Sequence, residues 1–164
     1  MGHIEQRLSQ LGLKLPPPTT PPPGFQFSFA WARVSGDRAF VSGHGAVGDD
    51  GKALGPFGKV PSEVSLDDAQ SSARATALAM LGSLKAEVGD LDRVTAWVMV
   101  YGMVNADPAY PETTNVINGF SDFILELYGE EAGRHARMAV GMAALPLNVC
   151  VTIAAEVALR PLAA

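Results

Sequence analysis

Residues 133–156 read GRHARMAVGMAALPLNVCVTIAAE, and the reading of this stretch decides the fold. A loop bearing Arg134, His135 and Arg137 runs straight into an apolar, strand-like segment, 137–143. Leu145-Pro146-Leu147-Asn148 makes a turn, and a second apolar segment, 149–159, follows. Two apolar runs joined by a turn predict a closing pair of strands, a hairpin. Basic groups cluster almost nowhere else in the chain. The expectation is that Arg137 anchors an anionic ligand and that the hairpin is the floor of its site.

Upstream of this stretch, residues 114–128 carry Val116, Ile117, Phe120, Phe123, Ile124 and Leu127 at helical spacing, and Gly129 supplies the stop. Residues 94–104, VTAWVMVYGMV, are almost all apolar and β-prone, which predicts a central strand covered on both faces. Ser65 reads as an N-cap with Asp67 and Asp68 in the first turn behind it. The helix it opens runs to about Val88, with a stripe of Ala69, Ala73, Ala77, Met80/Leu81, Leu84 and Val88, and Gly89 ends it.

Toward the N-terminus the period changes to two. Phe25, Phe27, Phe29, Trp31 and Arg33 alternate with small or polar residues, which predicts a strand with one aromatic face. Ser35-Gly36-Asp37 is a turn, and 38–42 a second strand. Residues 51–61 read as loop, with a short strand at 58–60. Ile4, Leu8 and Leu11 share one face of a short helix, and PPPTTPPP at 16–23 makes an extended connector.

These elements predict one domain over 1–164, with 1–24 as its leading helix and proline-rich connector. The fold class is α+β, a single mixed sheet with two main helices on one face. Apolar side chains on the other face are left for a partner, and for a small domain a closed ring of copies is the natural cover.

Composition bounds the function. Twelve Lys and Arg against seventeen Asp and Glu give a net charge of −5, which argues against a nucleic-acid partner. Cys150 is the single cysteine, so there is no internal disulfide, and its apolar surroundings make it a buried thiol. No apolar run approaches the ~18 residues of a membrane span, and no signal-peptide core opens the sequence, so a cytoplasmic protein with no membrane partner is expected. Gly43-His44-Gly45-Ala46-Val47-Gly48 has the glycine spacing of a dinucleotide fingerprint. Asp49-Asp50-Gly51-Lys52 follows where a helix should open, so the fingerprint is rejected and no cofactor is expected. The three histidines are not spaced as ligands on one element, and no metal is expected.

Across GRHARMAVGMAALPLNV at 133–149, FVSGHG at 40–45, GDLDRV at 89–94 and VINGFSD at 116–122, the chain resembles the reactive intermediate deaminase (Rid, YjgF-like) family. It is most similar to the longer branch labelled "putative endoribonuclease", over most of its length. The resemblance implies a chorismate-mutase-like (bacillus type) fold and a homotrimer with three sites between adjacent subunits. The implied reaction is hydrolysis of imino or enamino acids, such as 2-aminoacrylate, to a keto acid and ammonia.

Residue by residue, the resemblance sets Arg137 on the family's carboxylate-binding arginine, a role that suits a planar guanidinium able to pair bidentately with a carboxylate. Ala139 would offer its amide beside it, Asn118 would line the site from a helix, and the Gly43 backbone would face the ligand. Two positions depart. The family's water-positioning glutamate falls on Thr152, and the tyrosine that closes many of its pockets falls on Phe29. A hydroxyl orients water but supplies no general acid or base near neutral pH, a role worth about a hundredfold or more. Glu156 shares the Thr152 face of the strand but lies about 13 Å along it. His44, next to Gly43, can titrate near neutrality and is a candidate proton donor, although a hydrogen-bonded structural histidine is the reading favoured for it. His135 reads as a brace for the loop ahead of Arg137. Two functions stay open: an imine/enamine deaminase, or a trimer that binds a small carboxylate-bearing metabolite without catalysis. The ribonuclease label is the reading the acidic charge balance opposes.

Overall fold

Helix α2 (Leu66–Val88) begins where the Ser65 hydroxyl accepts the Asp68 amide at 3.1 Å, in a computed structural model that describes residues 2–161. It ends at Gly89, whose φ of 80° needs a residue without a Cβ. Its predicted stripe is buried throughout. Helix α3 (Thr113–Gly133) buries Val116, Ile117, Phe120, Phe123, Ile124 and Leu127 completely. Gly129 was expected to end it; instead the chain passes through a non-helical Gly129 (φ 75°, ψ 176°) and resumes as far as Gly133. The two helices approach closely at Gly119, where any Cβ would stand 2.1 Å from the Gln70 carbonyl oxygen.

Five strands, β1 (Ala32–Ser35), β2 (Arg38–His44), β3 (Val94–Asn105), β4 (Ala136–Met142) and β5 (Val151–Leu159), form one mixed sheet in the order β1-β2-β5-β3-β4. β3 and β4 run parallel, and the remaining neighbours antiparallel. The α+β class is as the sequence predicts, but the expected hairpin of 137–143 with 149–159 is not formed: β3 lies between the two strands. The reason is α3. A helix joining β3 to β4 makes a crossover that sets β4 parallel beside β3, and β5 then takes the opposite flank of β3. The turn between them, with φ of 56° at Leu147 and 58° at Asn148, carries the chain over the end of β3.

Three further expectations need correction. The aromatic run is not a strand before Ala32; Phe25, Phe27, Phe29 and Trp31 pack on one another, with ring centroids 4.9–5.6 Å apart. Their spacing reflects ring-on-ring contact rather than a ladder. Residues 58–60 contribute one parallel bridge, Val60 to Ala106, rather than a strand. α1 (His3–Gln10) buries Ile4 and Leu8, but Leu11 falls past its end and is exposed.

α3 packs on β3 and β4, and α2 on β1, β2 and β5, all from one side. The opposite face carries Phe40, Met99, Tyr101, Met103, Met138, Val140, Met142 and Ala154, each partly or fully exposed. β3 was expected to be covered on both faces, yet within one chain only its helix side is covered. Among the described residues no helix is long and apolar enough to cross a membrane.

Candidate functional site

Arg137 is opposite Val100 in the β3–β4 register, so it stands on the helix-covered side of an edge strand. Its Nη1 donates to Asn118 Oδ1 at 3.0 Å and to Ser121 Oγ at 2.9 Å, and its Nη2 reaches the Thr114 carbonyl at 3.4 Å. Thr114, Asn118 and Ser121 are spaced i, i+4 and i+7, a polar seam along the rim of α3. Sequence reasoning found Asn118 and missed Ser121, although that spacing was there to be used. Among the described residues no carboxylate lies within ion-pair distance of Arg137. Burial draws its pKa below the ordinary value, and the charge of Asp122 opposes that shift.

Around Arg137 lies a shallow recess of about 160 Å³, lined by Ser121, Leu125, Arg134, His135 and Arg137. His135 sits 2.9 Å from Ser121 Oγ and 2.7 Å from the Gly133 carbonyl, which bears out its reading as a brace. Ala139, two residues along the same face, has its carbonyl tied to the Thr113 hydroxyl at 3.1 Å. Lys59, also missed, clips the ends of β3 and β4 by donating to Asn105 Oδ1 (3.0 Å), the Ala143 carbonyl (2.7 Å) and the Ala106 carbonyl (3.4 Å).

The remaining candidates gather elsewhere. Thr152 projects from β5 opposite Met103, on the uncovered face. It abuts Gly43, where a Cβ would come within 2.9 Å of Thr152 Cγ2. Phe29 helps line a second, open recess of about 380 Å³ with Ala30, Arg33, Phe40, Val41 and Ser42. Gly43, Thr152 and Phe29 thus belong to the β1-β2-β5 end of the sheet, and Arg137, Ala139 and Asn118 to the β4 edge. One chain does not bring the two groups together.

His44 is buried on the helix side of β2. Its Nδ1 is 2.6 Å from the Ser42 carbonyl, its Nε2 is 2.9 Å from Ser83 Oγ, and its ring lies 4.8 Å from that of Trp31. Burial lowers its pKa against the opposing pull of the Ser42 carbonyl. Both ring nitrogens are engaged inside the fold, which is the geometry of a structural histidine. Glu156, on the Thr152 face, accepts the Tyr101 hydroxyl at 2.8 Å and pairs with Arg38 at 3.6 Å. Glu5, Asp90 and Asp92 bring oxygens within 4.8 Å of one another. Backbone amides of His3, Ile4 and Asp92 and the Lys85 ammonium occupy that cluster, which anchors α1.

Residues 5–157 match the family model described as YjgF/chorismate mutase-like, putative endoribonuclease, and the chain belongs to that family. It is 38% identical to Protein TCP17 of Trypanosoma cruzi over 159 residues, 97% of this chain and 96% of that one. Among solved structures, it is 36% identical to Atu1372 of Agrobacterium tumefaciens, a protein of unknown function, with a TM-score of 0.82 over 95% of this chain and 91% of that one. A protein of Shewanella oneidensis described as a putative endoribonuclease is 27% identical, with a TM-score of 0.84 over 95% and 99% of the two chains.

Proposed function

We propose that the protein is an imine/enamine deaminase-like hydrolase of small 2-imino and 2-enamino acids, such as 2-aminoacrylate, working as a homotrimer with its sites between subunits. The observation that carries this is Arg137: a half-buried guanidinium whose acceptors are all neutral oxygens. A cation held that way keeps its charge for a ligand, and a carboxylate matches its planar fork. With the acid fixed, an enamine substrate first tautomerises to the imine, its terminal carbon gaining a proton as the nitrogen loses one. Water then adds to the imine carbon, and the resulting carbinolamine expels ammonia to leave the keto acid. Imines are already electrophilic, so orientation supplies much of the rate. Thr152 would orient the water, Gly43 and Phe29 would close the pocket from the neighbouring chain, and no cofactor is required.

A second reading has its own support. The uncovered face near Thr152 carries one carboxylate on the same strand, Glu156, and that group is already tied to Tyr101 and Arg38. A trimer that binds a small carboxylate without turning it over fits that arrangement. The ribonuclease activity suggested by the family's description is opposed by the net charge of −5.

The deciding experiment generates 2-aminoacrylate in situ with a dehydratase and follows keto-acid release. Acceleration by the wild type that is lost in Arg137→Ala supports the hydrolase. No acceleration by the wild type, with a gain of about a hundredfold in Thr152→Glu, sinks it in favour of the binding protein.

A further inference from the structure

We infer that Ser121 and His135 are positioning residues for Arg137, fixing its guanidinium through a hydrogen-bond chain that runs in one direction only; this rests on reading Arg137 as the carboxylate anchor. The chain starts at the Gly133 carbonyl, which can only accept, so the His135 Nδ1 facing it at 2.7 Å carries the proton. In the neutral ring Nε2 is then an acceptor, and the Ser121 hydroxyl 2.9 Å away must be the donor. That leaves the lone pairs of Ser121 Oγ for Arg137 Nη1, at 2.9 Å, and a guanidinium can only donate. Each link has one allowed direction, so reversing any of them breaks the next.

The surroundings keep the chain in this state. Burial draws the His135 pKa below its ordinary value; the Gly133 carbonyl opposes that shift and the Arg137 charge adds to it. The ring meets Phe120 edge-on at 6.3 Å between centroids. Of the other charges nearby, Asp122 on α3 acts on Arg137, and Arg134 is turned toward Glu130 at 3.4 Å. A protonated His135 would offer Ser121 a donor in place of an acceptor and set a second cation beside Arg137. The functional consequence is preorganisation: a long, rotamer-rich side chain held before the ligand arrives loses less entropy on binding.

The test uses the full-length, 15N-labelled protein and reads the His135 tautomer and the rotation rate of the Arg137 guanidinium. The expected result is an Nδ1–H tautomer with slow rotation in the wild type. Ser121→Ala and His135→Leu should speed rotation about tenfold, while Ser121→Thr and His135→Gln, which keep the hydroxyl and the acceptor, stay near the wild type. In turnover of 2-aminoacrylate the loss should fall on KM, about five- to tenfold, with kcat nearly unchanged.

An Nε2–H tautomer, free rotation in the wild type, or an unchanged KM in Ser121→Ala overturns the inference. Should His135→Leu fold poorly, acidifying the wild type removes the same acceptor, and rotation that fails to quicken across the His135 titration overturns it too. A wild type that releases no keto acid refutes the hydrolase reading alone. The rotation rates, read with and without saturating pyruvate, then decide the positioning claim by themselves.

Discussion

Arg137 and Thr152 stand on opposite faces of one sheet, with β3 between their strands. Val100 faces α3 with Arg137 beside it in the parallel register, whereas Met103 is paired with Thr152 across the antiparallel one. Residues three apart on a strand point to opposite sides. A site that uses both groups therefore takes them from different chains.

This geometry makes assembly the first thing to measure. Light scattering should give three times the 17.2 kDa chain mass. Val140 and Met138 are exposed on the uncovered face of the edge strand, and a charge there would be buried unpaired against a neighbour. Val140→Asp should give a folded monomer with Arg137 in place and keto-acid release lost. A monomer that retains full activity would show that the site lies within one chain.

His44 carries a prediction about stability rather than rate. His44→Leu strands the Ser83 hydroxyl and the Ser42 carbonyl in the interior, at a cost of about 2–4 kcal/mol. The pH dependence has a definite sign. Burial sets the folded pKa below the ordinary 6.5, so below that value the unfolded chain binds more protons than the folded one. The contribution is complete above about pH 6.5 and is lost as pH falls through the lowered folded pKa; His135 adds in the same sense. Urea midpoints measured from pH 8 to pH 5 should fall in the wild type and fall less in His44→Leu.

The elements most legible in the sequence were those whose signal is local. Ser65, Gly89 and the alanine stripe defined α2 to within a residue because capping and amphipathic spacing depend on neighbours in the chain. The pairing of 137–143 with 149–159 was misread because their partner, β3, lies some forty residues upstream, and no local signal chooses between a hairpin and a strand inserted between two others. The aromatic run misled for a related reason: alternate rings at 25, 27, 29 and 31 satisfy the period of a strand, and only packing shows that they stack on one another. In the candidate site, Arg137 was proposed from its setting and from family resemblance, and Asn118 from the resemblance. Ser121 went unnoticed although its i+7 spacing from Thr114 was legible, because that spacing does not say which strand the rim of α3 faces; the α3–β4 packing sets it on Arg137.

Asp92 holds α1 from outside the helix. Its carboxylate accepts the His3 amide at 2.5 Å and the Ile4 amide at 2.8 Å, while Lys85 pairs with Glu5. Burial alone would raise the Asp92 and Glu5 pKa values, but those amides and Lys85 outweigh it, and both are lowered, from 3.8 and 4.5. With depressed folded values, their stabilisation is present above about pH 4.5 and lost as pH falls through them. Asp92→Ala should cost about 1–2 kcal/mol, as loss of an N-cap does. It should also expose residues 2–10 to limited proteolysis at pH 7, with the α2–α3 core left intact; cleavage no faster than in the wild type would refute this role.

Gly119 tests how tightly the helix layer sets the anchor. A Cβ there would lie 2.1 Å from the Gln70 carbonyl oxygen and 2.9 Å from its Cα, and backbone atoms cannot turn aside as a side chain could. Gly119→Ala must push α3 away from α2, and helix propensity alone, which favours alanine by about 1 kcal/mol, opposes that effect. The steric term should win, for a net loss of about 2–3 kcal/mol in urea unfolding, within the range known for overpacked cores. Asn118 is the adjacent residue, so the same shift should loosen its 3.0 Å bond to Arg137 and weaken carboxylate binding even where the protein remains folded. A variant as stable as the wild type would mean that the helices separate freely, and that the sheet rather than the α2–α3 contact fixes where Arg137 points.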